Sequence, residues 1–445
     1  MYIIIILLLA ILLVVLGSTR LKIHPFLTLL VAAFFFGIFA GMPASEVLEL
    51  VNEGFGQTIG GIGIIIVLGI LIGTFLEHSG GAIAMAEKVL KFTGNKHICR
   101  AMSAIGYIVS IPVFCDSGYI ILTPLNKGLA KKAGISLAGP AIALSVGLLA
   151  AHVMVPPTPG PIAAAGILGA DLGLVIIWGL AVSIPALMIT NYLILKVAAG
   201  VYLNPSFETG SEEKFVEKKQ LPSATKAFMP VVIPIVLIML HSVAQLPGAP
   251  FGNEVFFEIL AFAGNPVVAL FIGLLIALTL PKKLDKEMLS ATGWAGKALK
   301  DASIIILITG AGGAFGKVLQ NSGLSEIIGD QLAGLQLGIF APFLLAAALK
   351  TAQGSSTVAI ITTASLMLPL LEPLGFDSNL SRAFAVLAIG AGSAVVSHAN
   401  DSFFWVVTQM SGMDVKTGYK LQSLGTGILG FSAIIILFFL TLIFV

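Results

Sequence analysis

Charge is what this chain lacks. Only 10% of its 445 residues are charged, 24 basic and 22 acidic, where a soluble globular domain carries about 25%. So few charges cannot clothe a water-facing surface of this size, which excludes a cytosolic enzyme and a charge-rich disordered regulator. A formal net charge of +2 leaves no basic footprint for nucleic acid. Cysteine is nearly absent too. Cys99 and Cys115 are the two present, and they cannot staple a secreted disulfide scaffold. No H-E-x-x-H string occurs, and neither His152 nor His398 has a second histidine four residues on. No metal centre, and no cofactor, is therefore expected.

Apolar sequence is what the chain has: 57% of residues are hydrophobic, with 49 Gly and 21 Pro among the rest. A helix crossing a bilayer needs about 20 mostly apolar residues. Such runs lie near 2–17, 23–41, 59–77, 139–171, 174–197, 227–246, 258–280, 302–320, 383–412 and 421–445. The expectation is an all-α, multi-pass protein of the cell membrane with about ten transmembrane helices. The first run lacks the basic start of a signal peptide and is expected to stay as a span.

Lys and Arg stay on the cytoplasmic side of a membrane, and one arrangement satisfies nearly all of them here. With Arg20 and Lys22 inside, the groups at 88–100, 127–132, 201–226, 282–300 and 416–420 fall inside as well. Lys317, Lys350 and Arg382 are the exceptions. Glu46, Glu49, Glu53, Glu254, Glu326, Asp330, Glu372 and Asp377 fall outside, as do both termini. Two short apolar pairs remain. Segment 101–126 has basic flanks and 338–371 acidic ones, so each is read as a re-entrant hairpin, entering from opposite sides.

The halves resemble each other. Gly69, Gly73, Leu76, Ser79 and Gly80 recur 243 positions later as Gly312, Gly316, Leu319, Ser322 and Gly323. Gly169 and Asp171 recur at the same offset as Gly412 and Asp414. The loop after Gly80 is basic while that after Gly323 carries Glu326 and Asp330, so equivalent segments face opposite sides. The reading is an inverted-topology repeat, the architecture of secondary transporters. Residues 1–200 form the first copy, 201–226 a polar cytoplasmic linker, and 227–445 the second.

Four polar places interrupt the apolar sequence. Asp116, Ser117 and Gly118 sit at the turn of the first hairpin. His152 precedes Pro156-Pro157-Thr158-Pro159-Gly160-Pro161, which must break the 139–171 helix because proline lacks an N–H and crowds the preceding turn. Lys350, Gln353, Gly354, Ser355, Ser356 and Thr357 mark the turn of the second hairpin, where hydroxyls and helix-start N–H groups suit an anion. His398, Asn400, Asp401 and Ser402 break the 383–412 helix. Ionisable groups at membrane depth are costly and usually functional, and a buried carboxyl can load and release a proton near neutral pH. Asp116 and Asp401 are the expected proton-coupling pair; the expected substrate site takes in Asp116 too, with Ser117, Gly118, His152, Thr158, Lys350, Gln353, Gly354, Ser355, Ser356, Thr357, His398, Asn400 and Ser402. An intramembrane enzyme has little support here, because an inverted duplication has no particular use in hydrolysis. A passive channel is the other competitor.

Four strings carry a family resemblance: Pro112-Val113-Phe114-Cys115-Asp116-Ser117-Gly118, the Pro156–Pro161 string, Ala352-Gln353-Gly354-Ser355-Ser356-Thr357-Val358-Ala359, and Ser397-His398-Ala399-Asn400-Asp401-Ser402. The chain resembles the gluconate permease family of proton symporters along its length. The family commonly has histidine where this chain has Thr158. The resemblance implies uptake of an aldonate or related sugar acid, or in some members D-serine. It also implies the plan of the ion-transporter superfamily, with paired hairpins, a mobile transport domain and a dimer-forming scaffold. The functional expectation is a proton-coupled carrier of a small hydroxy-carboxylate such as gluconate, with sodium as the rival coupling ion.

Overall fold

A chain this apolar must satisfy its own backbone hydrogen bonds, and helices do so within each segment. The computed structural model describes residues 2–93, 97–206, 221–244, 255–324 and 337–445, and no strand occurs among them. The first half runs α1 (Tyr2–Thr19), α2 (Pro25–Phe39), α3 (Ala44–His78), α4 (Gly81–Thr93), α5 (Ile98–Ser110), α6 (Cys115–Ala133), α7 (Ala138–Met154), α8 (Pro159–Leu168) and α9 (Leu172–Ala198). The second runs α10 (Ala224–Ala244), α11 (Val255–Ala263), α12 (Pro266–Ala277), α13 (Trp294–Gln320), α14 (Phe340–Gln353), α15 (Ser356–Met367), α16 (Asn379–Ala394), α17 (Ser402–Ser411) and α18 (Leu424–Phe444). Most of the linker expected at 201–226 lies outside the described residues, as do Lys96, Glu254, Glu326 and Asp330.

Both expected breaks are present. α7 gives way to α8 across residues 155–158, and α16 to α17 across 395–401. Each short apolar pair is likewise two helices around a turn, α5–α6 and α14–α15. Local geometry recurs at the repeat offset. Gly80 and Gly323 have φ of +78° and +73°, and Gly169 and Gly412 have +63° and +67°. Two residues after each of the latter pair, an aspartate caps the helix that follows, α9 in one case and the short helix Val415–Gly418 leading into α18 in the other. Asp171 accepts from the Leu174 N–H at 2.7 Å and Asp414 from the Thr417 N–H at 2.8 Å. Hydrogen bonds from Thr417 hold the exposed Asp414 carboxyl below the usual carboxylate range.

Three expectations are corrected. The 59–77 span is the second half of a 35-residue helix, α3, since nothing between Ala44 and His78 stops it and its glycines are tolerated. The 258–280 span is bent by 66° between α11 and α12, where Gly264, Asn265 and Pro266 interrupt the helical ladder. The count of about ten is not reached among the described residues: six of their helices are long and apolar enough to cross, or seven with the bent pair. α1 and α2 fall short in length, and seven irregular residues divide α16 from α17.

α7, α8 and α16 are buried on nearly every side, as helices apolar all round must be, and the other helices wrap them. Small residues bring backbones together. A Cβ on Gly147 of α7 would lie 2.2 Å from the Ser103 carbonyl oxygen of α5. Gly147→Ala should therefore lower the thermal unfolding midpoint. Overpacking of about 1–3 kcal/mol outweighs the roughly 1 kcal/mol that alanine gains in helix propensity.

The three basic residues that escape the charge rule each have a partner. Lys317 on α13 pairs with Glu53 on α3 at 3.1 Å. Arg382 donates to the carbonyls of Phe376 and Leu168 at 3.4 and 3.5 Å, closing the carbonyl end of α8. Lys350 is the third, and it lies at the centre of the site.

Candidate functional site

The turn between α14 and α15 needs a left-handed residue, and Gly354 supplies it with φ +81°. Its N–H returns to the Lys350 carbonyl at 2.8 Å, and Ser355 then caps α15, its Oγ accepting from the Val358 N–H at 3.3 Å. This turn brings the side chain of Lys350 inward until it is 1% exposed. Its Nζ donates to Asp401 Oδ2 at 2.7 Å and to the Gly354 carbonyl.

Asp401 reaches the same point from the break between α16 and α17. Its Oδ1 caps α17 by accepting from the Phe403 N–H at 3.0 Å, and the Ser397 hydroxyl donates to Oδ2 at 2.5 Å. Three donors thus surround one buried carboxylate, which is what an ion pair in a low-dielectric interior requires. The neighbouring residues clamp the hairpin turn. His398 Nε2 meets the Thr351 carbonyl at 2.9 Å; a carbonyl only accepts, so that nitrogen carries a proton. Asn400 Nδ2 donates to the carbonyls of Thr351 and Ala352 at 2.8 and 3.2 Å. Ser356 Oγ donates to the Ser393 carbonyl at 3.0 Å.

The first half contributes its own turn and break. Asp116 lies in the first turn of α6, with Cys115 Sγ at 3.5 Å and the Ser402 hydroxyl in hydrogen-bonding reach, close enough to feel the charge of Asp401. α6 is pinned to α17 by Tyr119, whose hydroxyl is 2.5 Å from Ser411 Oγ and whose ring meets Phe403 edge-on. His152 is buried beneath Phe114, ring centroids 6.0 Å apart, within electrostatic range of Lys350 and Asp401. Gly69, Pro112, Val113, Pro157 and Thr158 complete a small cavity around it. Thr158 spends its hydroxyl on the Val155 carbonyl at 2.8 Å.

All four polar places named from the sequence therefore meet. Ser117 and Gly118 lie in the first turn of α6 and Thr357 in that of α15; Ser117 lines a cleft with Thr74, Glu77, His78, Lys297 and Asp301. Sequence reasoning missed that cleft, the Ser397 bond to Asp401, and the identity of Lys350's partner. Ser397 was within reach, standing four residues before Asp401. The cleft was not, because its acids and base come from α3 and α13, far apart in sequence. Within the cluster, three buried polar atoms make no hydrogen bond to any described residue: His152 Nδ1 and both amide atoms of Gln353.

Apolar helices long enough to span a bilayer, two broken helices and an ionic cluster enclosed between them define a multi-pass membrane permease. The family model described as GntP family permease matches residues 1–443, and the chain belongs to that family. It is 38% identical to an uncharacterized permease of Haemophilus influenzae, covering 96% of this chain and 91% of the relative. It is 34% identical to a gluconate permease of Pseudomonas aeruginosa, covering 96% and 94%. In fold it is similar to the crystal structure of the YdaH transporter of Alcanivorax borkumensis, with a TM-score of 0.60 at 14% identity, covering 94% of this chain and 98% of that one. It is a transporter family and not an enzyme family.

Proposed function

We propose that this protein is a proton-coupled symporter of gluconate or a closely related small hydroxy-carboxylate. It works by alternating access, with the two halves as inverted repeats, α5–α6 and α14–α15 as re-entrant hairpins, and an elevator-type movement within a homodimer. The observation that carries the reading is the approach of the half-buried Asp116 to the buried Lys350–Asp401 pair, between both hairpin turns. Lys350 and Asp401 cancel each other. Asp116 adds one negative charge, and an incoming carboxylate would add another in a medium that penalises net charge heavily. Protonation of Asp116 keeps the site at the single negative charge it carried before the substrate entered, so one proton accompanies each anion. Lys350 and the N–H groups opening α15 then hold the carboxylate. Gln353 and His152, with unsatisfied polar atoms, bind the hydroxyls, and a site built for hydroxyls rejects analogues without them.

Sodium coupling has less support. Carbonyls freed at a hairpin turn are its usual ligands, and here those of Thr351, Ala352 and Gly354 are taken by His398, Asn400 and Lys350.

Proteoliposomes test the proposal. Gluconate should accumulate when the interior is made alkaline, and a protonophore should abolish the gradient-driven part. Asp116→Asn should lose accumulation yet keep counterflow of labelled substrate. Accumulation indifferent to an imposed pH gradient would remove the symport claim, and loss of uptake when choline replaces sodium at fixed pH would transfer it to sodium. Competition by other aldonates, glycerate and D-serine ranks the substrates.

A further inference from the structure

Away from the ionic cluster, a groove of about 1050 Å³ opens between α5 and α9, just above the roughly 300–1,000 Å³ usual for ligand clefts. Two polar cross-links form its floor: Asn191 Nδ2 donates to Ser103 Oγ at 2.6 Å, and the hydroxyls of Tyr107 and Ser183 lie 2.7 Å apart. Reading along α5 from Ser103 to Tyr107 means reading backwards along α9 from Asn191 to Ser183, so the helices are antiparallel. Arg100 is three residues beyond Ser103 and Lys196 five beyond Asn191. The chain direction therefore puts both cations at the same end of the groove.

The other end is apolar, walled by Ala104, Ile108, Ile184, Leu187 and Met188. Met188 is 68% exposed. Among the described residues, neither Arg100 nor Lys196 has a carboxylate within ion-pair distance; Lys196 Nζ rests 3.9 Å above the Tyr192 ring. The cationic end is the one that the distribution of Lys and Arg puts at the cytoplasmic face.

We infer that this groove binds one anionic glycerophospholipid of the bilayer, its phosphodiester held by Arg100 and Lys196 and an acyl chain lying along Ile184, Leu187 and Met188. Basic pockets between membrane helices on the cytoplasmic side recognise acidic headgroups through this pairing of charge and apolar depth. A second copy of the chain is a poorer occupant. In a two-fold dimer a patch meets itself, and neither α5 nor α9 carries an acidic residue, so the cations would gain no partner. The site is independent of the transported substrate.

Native mass spectrometry of the full-length protein in detergent tests this, titrating phosphatidylglycerol and phosphatidylcholine with matched chains. Phosphatidylglycerol should bind about twenty-five-fold more tightly, two cations near the membrane surface each contributing about fivefold. Arg100→Gln combined with Lys196→Gln should bring the two lipids to equal affinity without shifting the unfolding midpoint. Met188→Trp, which fills the apolar end, should weaken both. Equal affinity in the unmodified protein overturns the assignment, as does a preference that survives the double substitution. A lipid-free dimer that Met188→Trp converts to monomer also overturns it, by making the groove a protein interface.

Discussion

Lys350→Met is expected to cost about 3–5 kcal/mol in unfolding free energy and to lower uptake by about a hundredfold or more. The lysine is 1% exposed and its partner Asp401 5%, so removing the ammonium leaves a carboxylate in the interior with only the Ser397 hydroxyl and the Phe403 N–H to stabilise it. Asp401→Asn should cost a similar amount for the opposite reason, stranding the ammonium. The two substitutions together should recover most of the loss, because a buried pair removed as a unit is close to neutral. Asn still caps α17, so the cap does not confound the comparison. Transport should not recover: the double variant has neither a cation for the substrate nor a carboxylate at the break. Equilibrium unfolding of all four proteins in mixed detergent gives the coupling energy as a double-mutant cycle. Additive effects would mean that the pair is not formed in the membrane.

The second large effect is expected at Gly354. A Cβ there would sit 2.2 Å from the Asn400 carbonyl oxygen, and the backbone has φ +81°. Gly354→Ala must push the hairpin turn away from the break between α16 and α17, and with it the bonds that His398 and Asn400 make to Thr351. Gly375 is a matched control, with the same φ of +81° but nothing within 4 Å of its Cβ position. Both alanines incur backbone strain on the order of 1–3 kcal/mol; only Gly354→Ala also disturbs the docked turn. Uptake should fall about a hundredfold in Gly354→Ala, since displacements near 1 Å at a substrate site have effects of that size. Gly375→Ala should transport at near the normal rate. Equal losses in the two would show that strain alone is responsible and that the close approach has no functional weight.

The legibility of this protein varies by residue. The break at Pro156–Pro161 could be read directly, because a missing N–H and a ring clash are local facts that no tertiary partner removes. The break at His398–Ser402 was legible through cost, since such residues cannot sit idle in an apolar helix. Each short apolar pair is two helices around a turn, and each turn was legible in the sequence from the polar residues beside it, Asp116 and Gly354–Ser355. The extent of α3 was not: its first turns carry Glu46, Glu49 and Glu53, which hydropathy excludes from a span, yet they continue the same helix, and Glu53 is held there by Lys317. The bend between α11 and α12 sits within a continuous apolar run, where hydropathy averages over Gly264 and Pro266.

Composition and spacing by themselves determined that the chain lives in a membrane, that the helices at 139–171 and 383–412 are interrupted, and which residue types stand at those two interruptions. Those properties follow from the transfer cost of charge and from the hydrogen bonds that each backbone segment can make within itself. The pairing of Lys350 with Asp401 rather than Asp116, the clamp of Asn400 on the hairpin turn, and the shared mouth of Arg100 and Lys196 were decided only by the tertiary structure. Each joins segments distant in sequence, and the partner of a buried charge is chosen by whichever packed backbone brings donor and acceptor within 3 Å.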